Sequence, residues 1–304
     1  MHKDFIALTD FSSDQLHEMV DLAIKMKAVP DEYRSALAGK TLGMIFNKHS
    51  TRTRISFESG IYQLGGVGLY FGPGQLQLDR GEPISDTAQV LSRYLDGIMI
   101  RTFKHSDVED LGRYGSIPVI NGLTDYNHPC QVMADMMTIQ EKLGKCERHK
   151  LCYIGDGNNM AVSLLFGAVK FGVDISIVSP ADYTIDRALV AKVAEEANER
   201  GCKVTLTESL EEGASGAHAV YTDVWASMGQ EDESNKRVNA FDGFQVNDQV
   251  MSWADKDAIF MHCLPAHRGE EVAASVIDGP QSVVFDQAEN RLHAQKAIMY
   301  TLMR

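Results

Sequence analysis

Five consecutive residues, Ser50, Thr51, Arg52, Thr53 and Arg54, place two guanidinium groups and three hydroxyls just ahead of an apolar pattern of helical spacing through Ile55, Phe57, Ile61 and Leu64. The first turn of a helix has unpaired backbone N–H donors and carries the positive end of the helix dipole. Hydroxyls and guanidiniums added there make an anion site of the size and charge of a phosphate. The plainer reading is a Ser or Thr cap with arginines on a solvated face. Five such side chains in five positions favour the phosphate cradle.

Four further segments carry groups with chemistry. His128-Pro129-Cys130-Gln131 stands between a strand-like segment and a helical pattern, where an imidazole and an amide can each polarise a carbonyl oxygen; a turn histidine before proline is the alternative. His262-Cys263-Leu264-Pro265-Ala266-His267-Arg268-Gly269-Glu270-Glu271 follows an apolar run, so Cys263 falls at the carboxyl end of a predicted strand, the edge where α/β sheets gather ligands. Its thiol can bind substrate, act as a nucleophile, join His262 and His267 on a metal, or be an inert buried cysteine. No complementary His or Cys pair at ligand spacing occurs elsewhere, which disfavours a metal. Asp223-Val224-Trp225-Ala226-Ser227-Met228-Gly229 follows another strand-like run; its carboxylate and hydroxyl suit an amino group, with the polar residues 230–236 as a candidate lid and a capped, solvated loop as the alternative. Gly155-Asp156-Gly157-Asn158-Asn159 resembles a dinucleotide fingerprint only in part, since Met160 stands where the third glycine belongs, so Asn159 is a better candidate for hydrogen-bonding a polar substrate.

These segments need a scaffold, and the hydrophobic pattern supplies one. Apolar runs of strand length at 41–46, 68–71, 97–100 and 118–121 alternate with helical patterns at 52–64 and 85–94. A long helical pattern at 131–143 leads to a second series of strands at 151–154, 175–178, 204–207, 219–222 and 258–261. The tail reads as a strand at 282–285 followed by a helix at 287–303. The expected fold class is therefore α/β with two domains, each a mainly parallel sheet flanked by helices and joined by interdomain helices. The expected boundaries are 1–134 and 135–286, with the helix of 287–304 returning to the first domain.

Composition narrows the partners. Among 304 residues, 29 Lys and Arg against 42 Asp and Glu leave a net charge of -13, which repels nucleic-acid phosphates and anionic membranes, so neither is an expected partner and any bound anion needs a local basic pocket. The first ten residues lack the basic start and apolar run of a secretory signal, no stretch has the apolar length of a membrane span, and five cysteines without paired spacing read as reduced thiols; a cytoplasmic location is expected.

Taken in order along nearly the whole chain, these motifs resemble the transcarbamoylase family, in its ornithine-specific rather than aspartate-specific pattern. The resemblance implies that Ser50, Thr51, Arg52, Thr53 and Arg101 hold phosphate and carbamoyl oxygens with help from Gln77, and that His128 and Gln131 address the carbamoyl group. It implies that Cys263, Leu264 and Arg291 complete that site and that Asn159, Asp223, Ser227 and Met228 bind ornithine. Arg101, His128, Asp223 and Cys263 are the residues it marks as catalytic. The expected reaction joins carbamoyl phosphate and L-ornithine to give citrulline and phosphate in arginine metabolism, with no cofactor or metal, in a homotrimer or a multiple of trimers. Carbamoyl transfer to another amine, putrescine or aspartate, is the alternative within the family, and a nicotinamide-dependent dehydrogenase resting on Gly155-Asp156-Gly157 is the alternative outside it. Two positions depart from the family pattern: Val162, where some relatives carry a polar residue, and Asp79, where glycine is common.

Overall fold

The structure, a computed structural model, describes residues 4–226 and 234–304, and the chain divides into two compact units, Met1–Met137 with Glu289–Arg304, and Thr138–Ala288. The first unit holds a parallel sheet of β1 (Thr41–Phe46), β2 (Val67–Phe71), β3 (Gly97–Arg101) and β4 (Val119–Leu123), in the order β2-β1-β3-β4. Its helices are α1 (Ser13–Ala28), α2 (Thr51–Gln63), α3 (Ile84–Leu91), α4 (His105–Tyr114) and the start of α5 (Pro129–Leu143). The interior strands β1 and β3 read as almost unbroken apolar runs because a parallel sheet is covered on both faces. Ile45, Ile98, Ile100, Val108, Leu111 and Val119 close one side of this core, each side chain contributing roughly 1.5–3 kcal/mol by leaving water.

The second unit repeats the plan with β5 (Lys150–Ile154), β6 (Asp174–Val178), β7 (Val204–Thr207), β8 (Ala219–Thr222) and β9 (Ile259–His262), all parallel, in the order β7-β6-β5-β8-β9. Around them run α6 (Asn159–Lys170), α7 (Arg187–Arg200), α8 (Leu210–Ala214), α9 (Ser234–Ala240), α10 (Asp248–Trp253) and α11 (Ala274–Ile277). The last helix, α12 (Val284–Met303), begins in this unit and contributes its greater part to the first.

The strand order fixes where ligands can gather. In the first sheet the chain steps from β1 outward to β2 and then back across β1 to β3, so the loops after β1 and β3 diverge to opposite faces and open a crevice at their carboxyl ends. The second sheet has the same reversal between β5 and β8. Ser50 follows β1, Arg101 ends β3, Asn158 and Asn159 follow β5, and Asp223 follows β8. All of these candidate residues therefore flank one of the two switch points.

One expected element is overturned. Residues 282–285 do not form a strand: Ser282 makes a single parallel bridge to Phe260, Val283 N–H donates to Phe260 O, and α12 starts at Val284. Three apolar residues after a serine fit either a strand or the start of a helix. Asp286 in the first turn of α12, where the dipole favours an anion, supports the helix. The helix expected from 131 starts two residues earlier with Pro129 in its first position, where the missing N–H costs nothing.

Candidate active site

In the first unit the expected cradle residues fall at the start of α2. Ser50 is its N-cap, with Oγ accepting from Thr53 N–H at 3.2 Å, so the cap reading holds for this serine. The first-turn donors of Thr51 and Arg52 stay free of the cap and sit at the positive end of α2. Arg52 and Arg54, two positions apart, take different faces of the helix. Arg54 is exposed, bonds Glu58 at 3.4 Å and stacks 3.8 Å over the Tyr70 ring, away from the cluster described next.

Thr53 is buried and its Oγ1 accepts from Arg291 Nη2 at 3.1 Å, while Arg291 Nη1 donates to Gln131 Oε1 at 2.6 Å. Gln131 in turn donates from Nε2 to Asp135 Oδ1 at 2.8 Å, which fixes its amide oxygen toward the guanidinium. Arg291 thus joins α2, α5 and α12 through one planar fork. Arg101 and His128 are buried beside this group. Burial, reinforced by Arg291, Arg101 and Arg52, holds the His128 imidazole well below the ordinary histidine range, so it is neutral and can donate without carrying charge. Gln77 lies in the short 3-10 turn Gln77–Arg80, is exposed, and makes no hydrogen bond to this cluster.

In the second unit Asp223, buried at the end of β8, accepts from Cys263 Sγ–H at 3.0 Å on Oδ1 and from Asn158 Nδ2 at 3.2 Å on Oδ2. Asn158 also caps α6, its Oδ1 accepting from Met160 N–H and Ala161 N–H. The cap therefore orients the amide that steadies the carboxylate. Asn159 stands one residue on, half-buried in the first turn of α6. Cys263 is half-buried, which separates it from Cys130, Cys146, Cys152 and Cys202, all buried; burial pushes the thiols of Cys130 and Cys152 up to about 12.

The loop bearing Cys263 and Leu264 is held by its neighbours. Leu264 N–H donates to His262 Nδ1 at 2.8 Å, which leaves the ring hydrogen on Nε2, facing Glu271 Oε1 at 3.2 Å. The same carboxylate oxygen accepts from His267 N–H at 2.6 Å. Leu264 adopts φ 57°, a conformation that costs a branched side chain about a kcal/mol or more and persists because these bonds fix it. Asp223, His262 and Cys263 could offer three ligand atoms to a metal, but both nitrogens of His262 are committed to Leu264 and Glu271.

Ser227 and Met228 lie outside the described residues, as do positions 230–233 of the expected lid; its end, from Ser234, is the start of α9. Gly157 has a structural reason for being glycine: a Cβ there would meet the Thr184 carbonyl carbon at 2.4 Å. Val162 is buried within α6. Arg237 and Gln287 were not singled out by sequence, and Asn158 and Glu271 entered only as members of longer motifs. Arg237 Nη1 bonds Asp156 Oδ2 at 2.6 Å and the Trp225 carbonyl at 3.0 Å, and Gln287 accepts from His262 N–H while donating to Tyr221 Oη. Only Asn158 had a signal, its place at a predicted helix start.

Comparison with known proteins finds two domain models in succession along the chain. Residues 3–141 match the family model for the carbamoyl-P binding domain of aspartate/ornithine carbamoyltransferase, and residues 147–302 match that for its Asp/Orn binding domain. An ornithine carbamoyltransferase of Oceanobacillus iheyensis is 54% identical over 99% of this chain and 94% of its own length. The solved ornithine carbamoyltransferase of Pyrococcus furiosus superposes with a TM-score of 0.95 at 48% identity, covering 99% of this chain and 97% of its own. That of Campylobacter jejuni, described as anabolic, gives 0.93 at 39% identity, with 99% of each chain covered.

Proposed function

Since the chain belongs to the aspartate/ornithine carbamoyltransferase family, we propose that it transfers the carbamoyl group of carbamoyl phosphate to the δ-amino group of L-ornithine, giving L-citrulline and phosphate. The observation that carries the site assignment is the buried Arg291 guanidinium bonded to Thr53 and Gln131, with Arg52 and Arg101 acting with it on the neutral His128. Three cations around a neutral donor suit a doubly charged acyl phosphate whose carbonyl must be polarised.

Residues of the first unit take carbamoyl phosphate: Ser50, Thr51, Arg52 and Thr53 at the start of α2, with Arg101, His128, Gln131 and Arg291, and Gln77 assisting. In the second unit Asn159 and Asp223, with Ser227 and Met228, take ornithine, and Cys263 and Leu264 serve the carbamoyl group as well. An alkyl ammonium has an ordinary pKa of about 10.4 and must lose a proton before it attacks. Asp223, paired with the Cys263 thiol, orients that group as its proton passes to solvent, and the second proton, lost from nitrogen after attack, leaves with the phosphate. As the tetrahedral intermediate forms, Thr53, Arg101 and His128 stabilise the former carbonyl oxygen, each such preorganised donor contributing about 3 kcal/mol. Phosphate then leaves into the cradle. The reaction so written uses neither cofactor nor metal.

We place the enzyme in arginine biosynthesis, a reading supported by its likeness to the anabolic C. jejuni protein. A cytoplasmic location is supported by five free cysteines, four of them buried. A homotrimer is supported by the apolar residues that the first unit leaves exposed, Ile55 and Tyr62 on α2 and Val67 and Leu69 on the edge strand β2. The decisive experiment is a citrulline-formation assay with ornithine and carbamoyl phosphate, with and without added metal, alongside putrescine and aspartate. Turnover with either alternative amine above that with ornithine overturns the assignment.

A further inference from the structure

Lys48 stands two residues before the cradle and has an unusual setting for a lysine. Its side chain is 6% exposed, its ammonium pairs with Asp125, and its Nζ lies 4.3 Å over the Phe103 ring. These three residues come from three different loops at the carboxyl edge of the first sheet, after β1, β3 and β4. Each loop also carries a residue proposed to hold carbamoyl phosphate: Ser50 two positions after Lys48, Arg101 two before Phe103, and His128 three after Asp125.

The three loops are already joined by lighter bonds. Asn47 N–H donates to Arg101 O at 2.8 Å, Asn47 Nδ2 to Thr102 Oγ1 at 3.0 Å, and Asp125 N–H to Phe103 O at 2.9 Å. Lys48 adds a charge-assisted bond and a cation–π contact at the point where the loops converge. A buried ammonium strongly prefers to keep its anionic partner. The pair therefore resists any separation of the loop after β1 from the loop after β4.

We infer that Lys48 is a positioning residue, a clasp acting through Asp125 and Phe103 that holds the Ser50–Thr53 turn, Arg101 and His128 in register for carbamoyl phosphate before the ligand arrives. The inference rests on the function proposed above, and it is distinct from a direct contact between Lys48 and the phosphate. In the direct case Asp125 would be dispensable; in the clasp case it is half of the device.

The test is steady-state kinetics of Lys48→Gln, Asp125→Asn and the double variant, with ornithine saturating and carbamoyl phosphate varied. Misplacing binding groups by an ångström costs up to about 100-fold. Each single variant is expected to raise KM for carbamoyl phosphate roughly 10- to 100-fold, with kcat changed much less, and the double variant should be no worse than the poorer single. A normal KM in Asp125→Asn beside a large rise in Lys48→Gln makes Lys48 a direct ligand and overturns the clasp. Fully additive losses, or unchanged KM in both, do the same. Asp125 is 62% exposed on its side chain, so Asp125→Asn folds even if Lys48→Gln does not. Absence of wild-type turnover would instead count against the proposed function.

Discussion

Arg291 and Thr53 stand 238 positions apart in the chain and 3.1 Å apart between Nη2 and Oγ1. The other terminal nitrogen of the same guanidinium holds Gln131. A single planar group thus spaces the start of α2 from the first turn of α5, and the spacing depends on two donors at a fixed angle. Arg291→Lys keeps the charge but has one compact ammonium for two partners. It should lose about 100-fold in kcat/KM for carbamoyl phosphate, nearly as much as Arg291→Ala. Initial-rate measurements at saturating ornithine check this, and a Lys variant close to wild type would show that charge alone suffices.

His128 gives a stability signature. Its folded-state pKa is depressed by burial and by Arg291, Arg101 and Arg52. A depressed histidine contributes stability that is fully present above its unfolded value of about 6.5 and is lost as pH falls below it, because the unfolded chain then binds a proton the native state refuses. Below pH 6.5 the wild type should lose up to about 1.4 kcal/mol per pH unit more than His128→Asn. Urea unfolding of both proteins at pH 7.5, 6.5 and 5.5 measures the difference. Parallel curves would mean that His128 is protonated in the native state.

The sequence made the frame legible where periodicity is strong. The nine strands described here, Thr41–Phe46 among them, match the expected runs within about two residues, and the interior ones are clearest because they must be apolar on both faces. The helix start at Ser50 to Thr53 was legible because its signal is local, a cap ahead of an apolar helical pattern. Arg291 with Thr53, Arg237 with Asp156 and Lys48 with Asp125 join residues that only the topology brings together, and nothing in their local sequence announces it. The strand expected at 282–285 failed for the opposite reason: a serine and three apolar residues are too few to distinguish a strand from a helix start.

On the proposed assignment, Asp223 serves ornithine and not carbamoyl phosphate. Its carboxylate receives the Cys263 thiol and the Asn158 amide, so Asp223→Asn keeps the size of the side chain but replaces an acceptor with a donor facing one of these groups. Ornithine KM and kcat should deteriorate by about 100-fold or more in combination, while calorimetric binding of carbamoyl phosphate changes little. Cys263→Ser, which keeps a donor toward Asp223, should be milder than Asp223→Asn. Equal losses of both substrates in Asp223→Asn would remove its assignment to the amino group, and full activity in Cys263→Ser would remove the thiol from the reaction.

Arg237 and Asp156 form a buried pair, with both side chains about 10% exposed or less. Even so, burial outweighs the guanidinium and raises the Asp156 carboxyl above its ordinary value. Arg237→Met leaves that carboxylate buried without its cation and should destabilise the protein by about 3–5 kcal/mol at neutral pH. The loss has a definite pH dependence. With its pKa raised further, Asp156 favours folding only when protonated, so the penalty shrinks as pH falls through the folded-state value and is greatest above it. Adding Asp156→Asn to Arg237→Met removes the stranded charge and should recover part of the loss, because replacing both partners is much less costly than removing one. Melting curves of the two variants and the wild type at pH 5 and pH 8 decide the matter. A double variant no more stable than Arg237→Met, or a penalty that grows on acidification, would show that the pair acts through packing around Trp225 and Tyr183 instead.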